Sequence, residues 1–125
     1  MPKTVIILAP AASWRNAIVL LLQQQQPKLH VFPVDSSKAL EARFRTKLFP
    51  QVLCALLTGA GTEDMILHNL VEEYLYQRKT RFVFIMPFPA TETNEPLAYE
   101  TNFQGYRLMP LSPAQVAGEI IQNLA

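Results

Sequence analysis

Short runs of continuous apolar residues alternate along the chain with longer segments whose apolar residues recur at helical spacing. A short continuous apolar run is typical of a strand covered on both faces, and the helical spacing is typical of an amphipathic helix. The apolar runs predict four strands, at Thr4–Ala9, Leu29–Val34, Gln51–Thr58 and Arg81–Met86. The pattern therefore predicts an alternation of strands and helices.

Two helices are predicted in the first half of the chain. Ser13 precedes the first helix, Trp14–Gln26, and we expect its hydroxyl to cap that helix. Pro27 follows and ends it, because proline cannot continue the backbone hydrogen bonds. Residues 35–37 (Asp-Ser-Ser) open the second helix. Its apolar residues fall four apart on one face, at Leu40, Phe44 and Leu48.

A third helix is predicted after the third strand, with Thr62 as its N-cap. Glu63 and Asp64 then lie in the first turn of this helix, and Arg78 and Lys79 lie in the last turn. Acidic residues at the beginning of a helix and basic residues at its end both interact favourably with the helix macrodipole.

The C-terminal part of the chain completes the alternation. The segment Pro87–Glu95 carries several loop residues and is predicted to be irregular, and Pro96 begins a short fourth helix to about Phe103. The stretch Gly105–Pro113 predicts a fifth strand, a turn, and a fifth helix with Ser112 as N-cap and Pro113 at its first position. Five strand–helix units with buried strands predict an α/β fold, in which helices cover both faces of a parallel sheet.

Composition and charge narrow the class of protein. The 125 residues predict one domain, 1–125, and half of them are hydrophobic, which is typical of a folded domain rather than a disordered tail. The net charge of +1 gives no electrostatic case for contact with nucleic acid or a membrane surface. Cys54 is the single cysteine, so no disulfide forms within the chain, and we expect a cytoplasmic protein.

The stretch Gly105–Ser112 resembles the last strand and helix of a response-regulator receiver domain, written roughly Gly-Tyr-x-x-Lys-Pro-Phe-Ser/Thr. Residues 36–41 resemble the start of that family's second helix, and residues 49–53 resemble the approach to its third strand. The resemblance spans nearly the whole chain. It implies a single flavodoxin-like, receiver-like domain whose five parallel strands have the order 2-1-3-4-5.

The same resemblance implies that the phosphorylation site of the family is degenerate. A receiver uses two acidic residues after its first strand and an aspartate at the end of its third strand to hold Mg²⁺ and accept a phosphoryl group. It also uses a hydroxyl residue at the end of its fourth strand and a lysine in its fifth. In this chain the corresponding positions are Ala9 and Pro10, Leu56 or Leu57, Met86 or Pro87, and Met109.

We therefore expect a pseudo-receiver, a non-enzymatic module without metal or cofactor that signals through a protein partner or a homodimer. The resemblance implies that the contact surface is the face of helix 4, strand 5 and helix 5. Tyr99, Phe103, Tyr106 and Arg107 are its expected contact residues. Such a module is either a free-standing bacterial regulator or the N-terminal domain of a longer one, and it controls an effector rather than touching nucleic acid or a membrane itself.

The sequence also contains features that resemble other kinds of site. A flavodoxin-like sheet binds ligands beyond the carboxyl ends of its strands. A crevice lined by Pro10, Leu57, Pro87 and Met109 is therefore an alternative site for a flavin or a small apolar molecule. The Gly59-Ala60-Gly61-Thr62 turn lacks the spacing of a phosphate-binding loop. His30 and His68 lie on different predicted elements, and Cys54 lies inside a strand, so neither a metal site nor a catalytic thiol is predicted.

Overall fold

The computed structural model describes residues 3–57, 61–85 and 112–124, in which strands and helices alternate as predicted. The elements are β1 (Thr4–Leu8), α1 (Ala12–Gln25), β2 (His30–Val34), α2 (Ser37–Arg45), β3 (Val52–Leu56), α3 (Gly61–Leu75), β4 (Arg81–Ile85) and α4 (Pro113–Leu124). The helix α4 is the one that the sequence predicts as the fifth. The predicted fourth helix and fifth strand lie outside the described residues.

The four described strands form one parallel sheet in the order β2-β1-β3-β4. The central strand β1 pairs with β2 on one side, where Ile6 lies opposite Phe32, and with β3 on the other, where Ile6 lies opposite Leu53. This order agrees with the first four positions of the predicted 2-1-3-4-5 sheet. The carboxyl ends of all four strands therefore lie along one edge of the sheet.

Helices cover both faces of the sheet, as predicted. Because alternate residues of a strand point to opposite faces, each face of the sheet contributes its own set of apolar side chains. The helices α2 and α3 pack on one face around Ile6, Phe44, Leu53, Leu70 and Phe84. The helices α1 and α4 pack on the other face around Ile7, Leu22, Cys54, Val83 and Ile120.

Two predicted N-caps are wrong. Helix α1 begins at Ala12, and its N-cap is Ala11, which has no side-chain hydrogen bond, so Ser13 lies inside the first turn. Alanine has the highest helix propensity, which allows the helix to begin before the serine. Helix α3 begins at Gly61, so Thr62 also lies inside the helix rather than capping it.

The C-terminal ends of α2 and α3 also differ from the prediction. Helix α2 ends at Arg45 because Lys47 adopts a left-handed conformation (φ 64°), and Leu48 N–H then donates to the Arg43 carbonyl in a Schellman motif. Leu48 therefore packs on the core from beyond the helix. Helix α3 ends at Leu75 and Gln77 is left-handed (φ 65°), so Arg78 and Lys79 lie in the turn before β4 and not in the last helical turn.

The predicted beginnings of α2 and α4 are confirmed. Ser36 caps α2, since its hydroxyl accepts a hydrogen bond from Ala39 N–H at 3.1 Å. Ser112 caps α4 by accepting from Gln115 N–H at 3.3 Å, and the Gln115 side chain accepts in turn from Ser112 N–H at 2.9 Å. This reciprocal pair is a capping box, which satisfies two backbone donors that a helix otherwise leaves unpaired. Pro113 occupies the first helical position, as predicted.

Candidate functional site

The candidate site is the edge of the sheet where the parallel strands end. Strand β1 ends at Leu8 and its neighbour β3 ends at Leu56, so the sheet brings Ala9 and Pro10 next to Leu56 and Leu57. In open parallel α/β sheets, ligands bind in the crevice outside the carboxyl ends of the strands. The described part of the predicted degenerate site therefore lies where a flavodoxin-like sheet places its functional residues.

The end of β1 is held by backbone hydrogen bonds and contains no acidic side chain. Ala9 is fully buried, and its N–H donates to the Val34 carbonyl at 3.1 Å. The Ala9 carbonyl accepts a hydrogen bond of 2.5 Å from Nη1 of Arg15 on α1. Pro10 follows and is exposed. The turn after β1 is therefore closed by packing and hydrogen bonds that need no bound ligand.

The end of β3 presents two leucines that differ in exposure. Leu57 is 1% exposed and belongs to the core under α2 and α3, and its N–H donates to the Ile85 carbonyl at 2.8 Å. Leu56 is half-buried and lines a cavity at the edge of the sheet. Both side chains end in methyl groups, so neither leucine supplies a carboxylate at the end of β3.

A cavity of about 210 Å³ opens at this edge, and its apolar wall consists of Leu8, Pro10, Leu56 and Leu67. The other wall is polar and acidic, and consists of Asp35, Ser36, Ser37, Glu63 and Asp64. Sequence reasoning assigned these polar residues to helix beginnings and did not predict that they share a cavity. The sequence did contain the information needed for this prediction. The polar residues follow β2 and β3, and the carboxyl ends of these two strands lie at the same edge of the sheet.

The acidic wall does not form a metal site within the described residues. Asp64 is buried at 5% exposure, whereas Asp35 and Glu63 are exposed. Within residues 3–57, 61–85 and 112–124, no group of three histidine, cysteine or carboxylate side chains is placed to hold a metal ion. The edge is therefore not uniformly apolar, since a carboxylate-bearing wall faces the leucines.

Of the other residues that the sequence analysis named, some lie within the described part of the chain and the rest lie outside it. Cys54 is fully buried on β3, and burial raises the pKa of its thiol to about 12, which suits a structural role rather than a nucleophilic one. His30 lies at the start of β2 and His68 lies on α3. The other group lies outside the described residues and stays a prediction: Met86, Pro87, Tyr99, Phe103, Tyr106, Arg107 and Met109.

Solved structures of receiver domains share this fold. The receiver domain protein (CheY-like) from Methanospirillum hungatei JF-1 is 12% identical, with a TM-score of 0.75 over 99% of this chain and 94% of that one. The receiver domain of a DNA-binding response regulator from Colwellia psychrerythraea 34H is 11% identical, with a TM-score of 0.73 over 98% of each chain. The isolated receiver domain of RcsB from Salmonella enterica serovar Typhimurium is 15% identical, with a TM-score of 0.70 over 97% of this chain and 87% of that one.

These likenesses establish the class to which the fold belongs: it is the flavodoxin-like fold of response-regulator receiver domains. Neither a protein-family model nor a curated protein matches the sequence. No helix in the described part of the chain is both long and apolar enough to span a bilayer.

Proposed function

We propose that the protein is a receiver-like signalling module that accepts no phosphoryl group and acts through contacts with other proteins. The observation that carries the proposal is the pair Leu56–Leu57 at the end of β3, where a receiver fold needs its acceptor aspartate. An acyl phosphate forms only on a carboxylate, and no other chemical group at this position replaces it.

The end of β1 supports the same proposal. Receivers hold Mg²⁺ through oxygen ligands supplied partly by acidic residues after the first strand, and this chain has Ala9 and Pro10 there. The buried side chain of Ala9 and the Arg15 hydrogen bond to its carbonyl leave that turn stabilised without a metal. The proposed partner surface remains the one implied by the receiver resemblance, with Tyr99, Phe103, Tyr106 and Arg107 as its contact residues.

Incubation with acetyl phosphate, followed by measurement of the intact mass, tests the proposal. We expect no increase in the intact mass of the protein after incubation with acetyl phosphate and Mg²⁺, because no carboxylate occupies the acceptor position. A receiver domain that carries the acceptor aspartate serves as the control and gains the mass of one phosphoryl group. Acid-labile incorporation into this protein, located by peptide mapping to Asp35, Glu63 or Asp64, would overturn the proposal.

A second candidate function is the binding of a small molecule, and the cavity of about 210 Å³ favours it. Its leucine and proline wall suits an uncharged apolar ligand. A flavin fits less well, because its phosphate would face the carboxylates of Asp35 and Glu63.

The second candidate is tested by absorption and by thermal unfolding. It predicts that indole, an uncharged aromatic probe, raises the Tm in a concentration-dependent manner, because a ligand that binds the folded state stabilises it. Leu56→Trp fills the cavity and abolishes the increase. We expect no flavin bands in the visible spectrum of the purified protein. An identical response of the wild type and Leu56→Trp to indole would contradict the candidate.

A further inference from the structure

The turn between α3 and β4 and the first residue of β4, residues 76–81, are strongly basic, and we name this segment the basic turn. It contains Arg78, Lys79 and Arg81 and no carboxylate. Tyr76 begins the turn and is 68% exposed, which is unusual for a large aromatic side chain. Neither Lys79 nor Arg81 has an ion pair with a described residue. The basic turn therefore presents two cations, Lys79 and Arg81, that have no ion pair within the described residues, and an exposed ring.

Two contacts tie the basic turn to the loop before β3. Gln77 adopts the left-handed conformation that reverses the chain after α3. The Arg78 guanidinium stacks on the Phe49 ring at 3.6 Å from its centroid. Thr80 Oγ1 donates to the Pro50 carbonyl at 2.7 Å, which ties the basic turn to the loop before β3. A contact made by a rigid surface loses little conformational entropy on binding, so the basic turn is preorganised for a partner.

A groove of about 450 Å³ runs between α2 and α3, and we name it the acidic groove. Glu41, Glu63 and Glu73 line it together with one cation, Lys38. Its apolar surface comes from Leu70 and from Ile66, which is 42% exposed. Glu41 is paired with Arg45 at 3.4 Å, whereas Glu63 and Glu73 have no ion pair with a described residue. The groove suits a side chain with an apolar body beside cationic groups.

The basic turn and the acidic groove complement each other, but Tyr76 cannot reach Ile66 within one molecule. Tyr76 follows the last residue of α3, and Ile66 lies ten residues earlier on the same helix. A rigid helix rises 1.5 Å per residue, so it holds Tyr76 and Ile66 about 15 Å apart, although Glu73 at the end of the groove lies within one turn of Tyr76. A contact between Tyr76 and Ile66 therefore requires two copies of the chain.

We propose that the basic turn of one copy docks in the acidic groove of a second copy, with Tyr76 against Ile66 and with Lys79 and Arg81 beside Glu63 and Glu73. The surfaces differ on the two partners, so the contact is heterologous and leads to a ring or an open chain. A nucleic acid would also attract the cations of the basic turn, but its phosphates would be repelled by the acidic groove, and its backbone offers no apolar partner for Tyr76. The inference is independent of the phosphorylation chemistry proposed above.

Sedimentation of the 125-residue chain tests the proposal. At low salt we expect the weight-average mass to rise with protein concentration, over a range that reaches about 1 mM. At a fixed concentration we expect the mass to fall as added salt screens the exposed charges. Tyr76→Ser/Lys79→Gln removes the docking groups of the turn, and Glu63→Gln/Glu73→Gln removes those of the groove. We expect each double variant alone to associate at least roughly tenfold more weakly than the wild type.

A mixture of the two double variants distinguishes head-to-tail docking from other modes of association. The first variant keeps its groove and the second keeps its turn, so an equimolar mixture has one intact contact and stops at a dimer. Leu20→Ser and Lys28→Gln are the matched controls, since they alter an exposed apolar residue on α1 and a cation before β2, and both should associate as the wild type does.

Three results would overturn the proposal. The first is a wild-type chain that stays monomeric over the whole concentration range at low salt. The second is a mixture of the two double variants that shows no more association than either variant alone. The third is binding of duplex DNA that Lys79→Gln weakens, together with an unchanged sedimentation of the free protein.

Discussion

Replacing Leu57 by aspartate is expected to lower the free energy of unfolding by about 4 kcal/mol at pH 7. Leu57 is 1% exposed in the core under α2 and α3, so the substitution removes apolar packing and buries a carboxylate without a partner. A single domain is stable by only about 5–15 kcal/mol, so the loss removes a large part of the total. Urea unfolding followed by the fluorescence of Trp14, the single tryptophan, measures it.

The loss should depend on pH in a defined direction. Burial raises the pKa of the introduced carboxyl above its unfolded value of about 3.9. Between these two pKa values the folded state binds more protons than the unfolded state. The loss relative to the wild type therefore grows as the pH rises from about 4 through the folded-state pKa. Below about pH 4 the part due to the buried charge disappears, and the part due to the lost packing remains.

Leu57→Asn is the matched control, because asparagine has nearly the same shape as aspartate and no titratable group. We expect it to destabilise the protein by an amount that does not change between pH 4 and pH 7. A Leu57→Asp variant as stable as the wild type at pH 7 would mean that the position is open to solvent, as the acceptor carboxylate of a receiver must be. It would also contradict the burial of Leu57 in the core under α2 and α3.

Under the proposed function, one substitution at Leu57 would not supply acceptor chemistry. An aspartate that accepts a phosphoryl group must reach a metal and the phosphoryl donor, whereas the Leu57 side chain points into the hydrophobic core. Leu56 lines the cavity instead, but Ala9 and Pro10 at the end of β1 carry no carboxylate that could hold a metal ion. Several substitutions on two adjacent strands would be needed together.

Much of the fold could be predicted from the sequence because buried parallel strands and amphipathic helices have different periodicities. The run Val52–Leu56 is apolar at every position and is a strand, and Leu40 and Phe44 recur at helical spacing and are buried on α2. The ends of the helices could be predicted less well from the sequence. Lys47 and Gln77 adopt the left-handed conformation that usually indicates glycine, so composition gives no signal for either turn.

The candidate site was predicted only in part, for a related reason. The apolar residues at the ends of β1 and β3 were assigned from the resemblance to receiver domains, and the apolar runs of the sequence predict strands that end close to them. The acidic wall formed by Asp35 and Glu63 depends on how far α2 and α3 are spaced across the sheet, and this spacing is set by packing between distant residues. The proposed docking of the basic turn in the acidic groove of a second copy likewise depends on surfaces that only the tertiary structure brings together.

Replacing Phe44 by alanine is expected to lower the free energy of unfolding by about 3–5 kcal/mol. The Phe44 ring is 1% exposed on the inner face of α2, and it lies between two other aromatic rings, with centroid distances of 6.1 Å to Phe49 and 5.4 Å to Tyr74. Its removal leaves a cavity between α2, α3 and the loop before β3, and it also removes both aromatic contacts. Urea unfolding of the variant and the wild type at pH 7 measures the difference.

Phe32→Ala is the matched control, because it makes the same chemical change at a half-buried position on the edge strand β2. The Phe32 ring packs only partly on the core and lies beneath the Arg43 guanidinium at 5.2 Å, so its loss should cost less than about 2 kcal/mol. Equal losses for the two variants would contradict the assignment of Phe44 to the centre of this core. The α2–α3 side of the sheet would then lack the rigid packing that both the acidic groove and the stacking of Arg78 on Phe49 require.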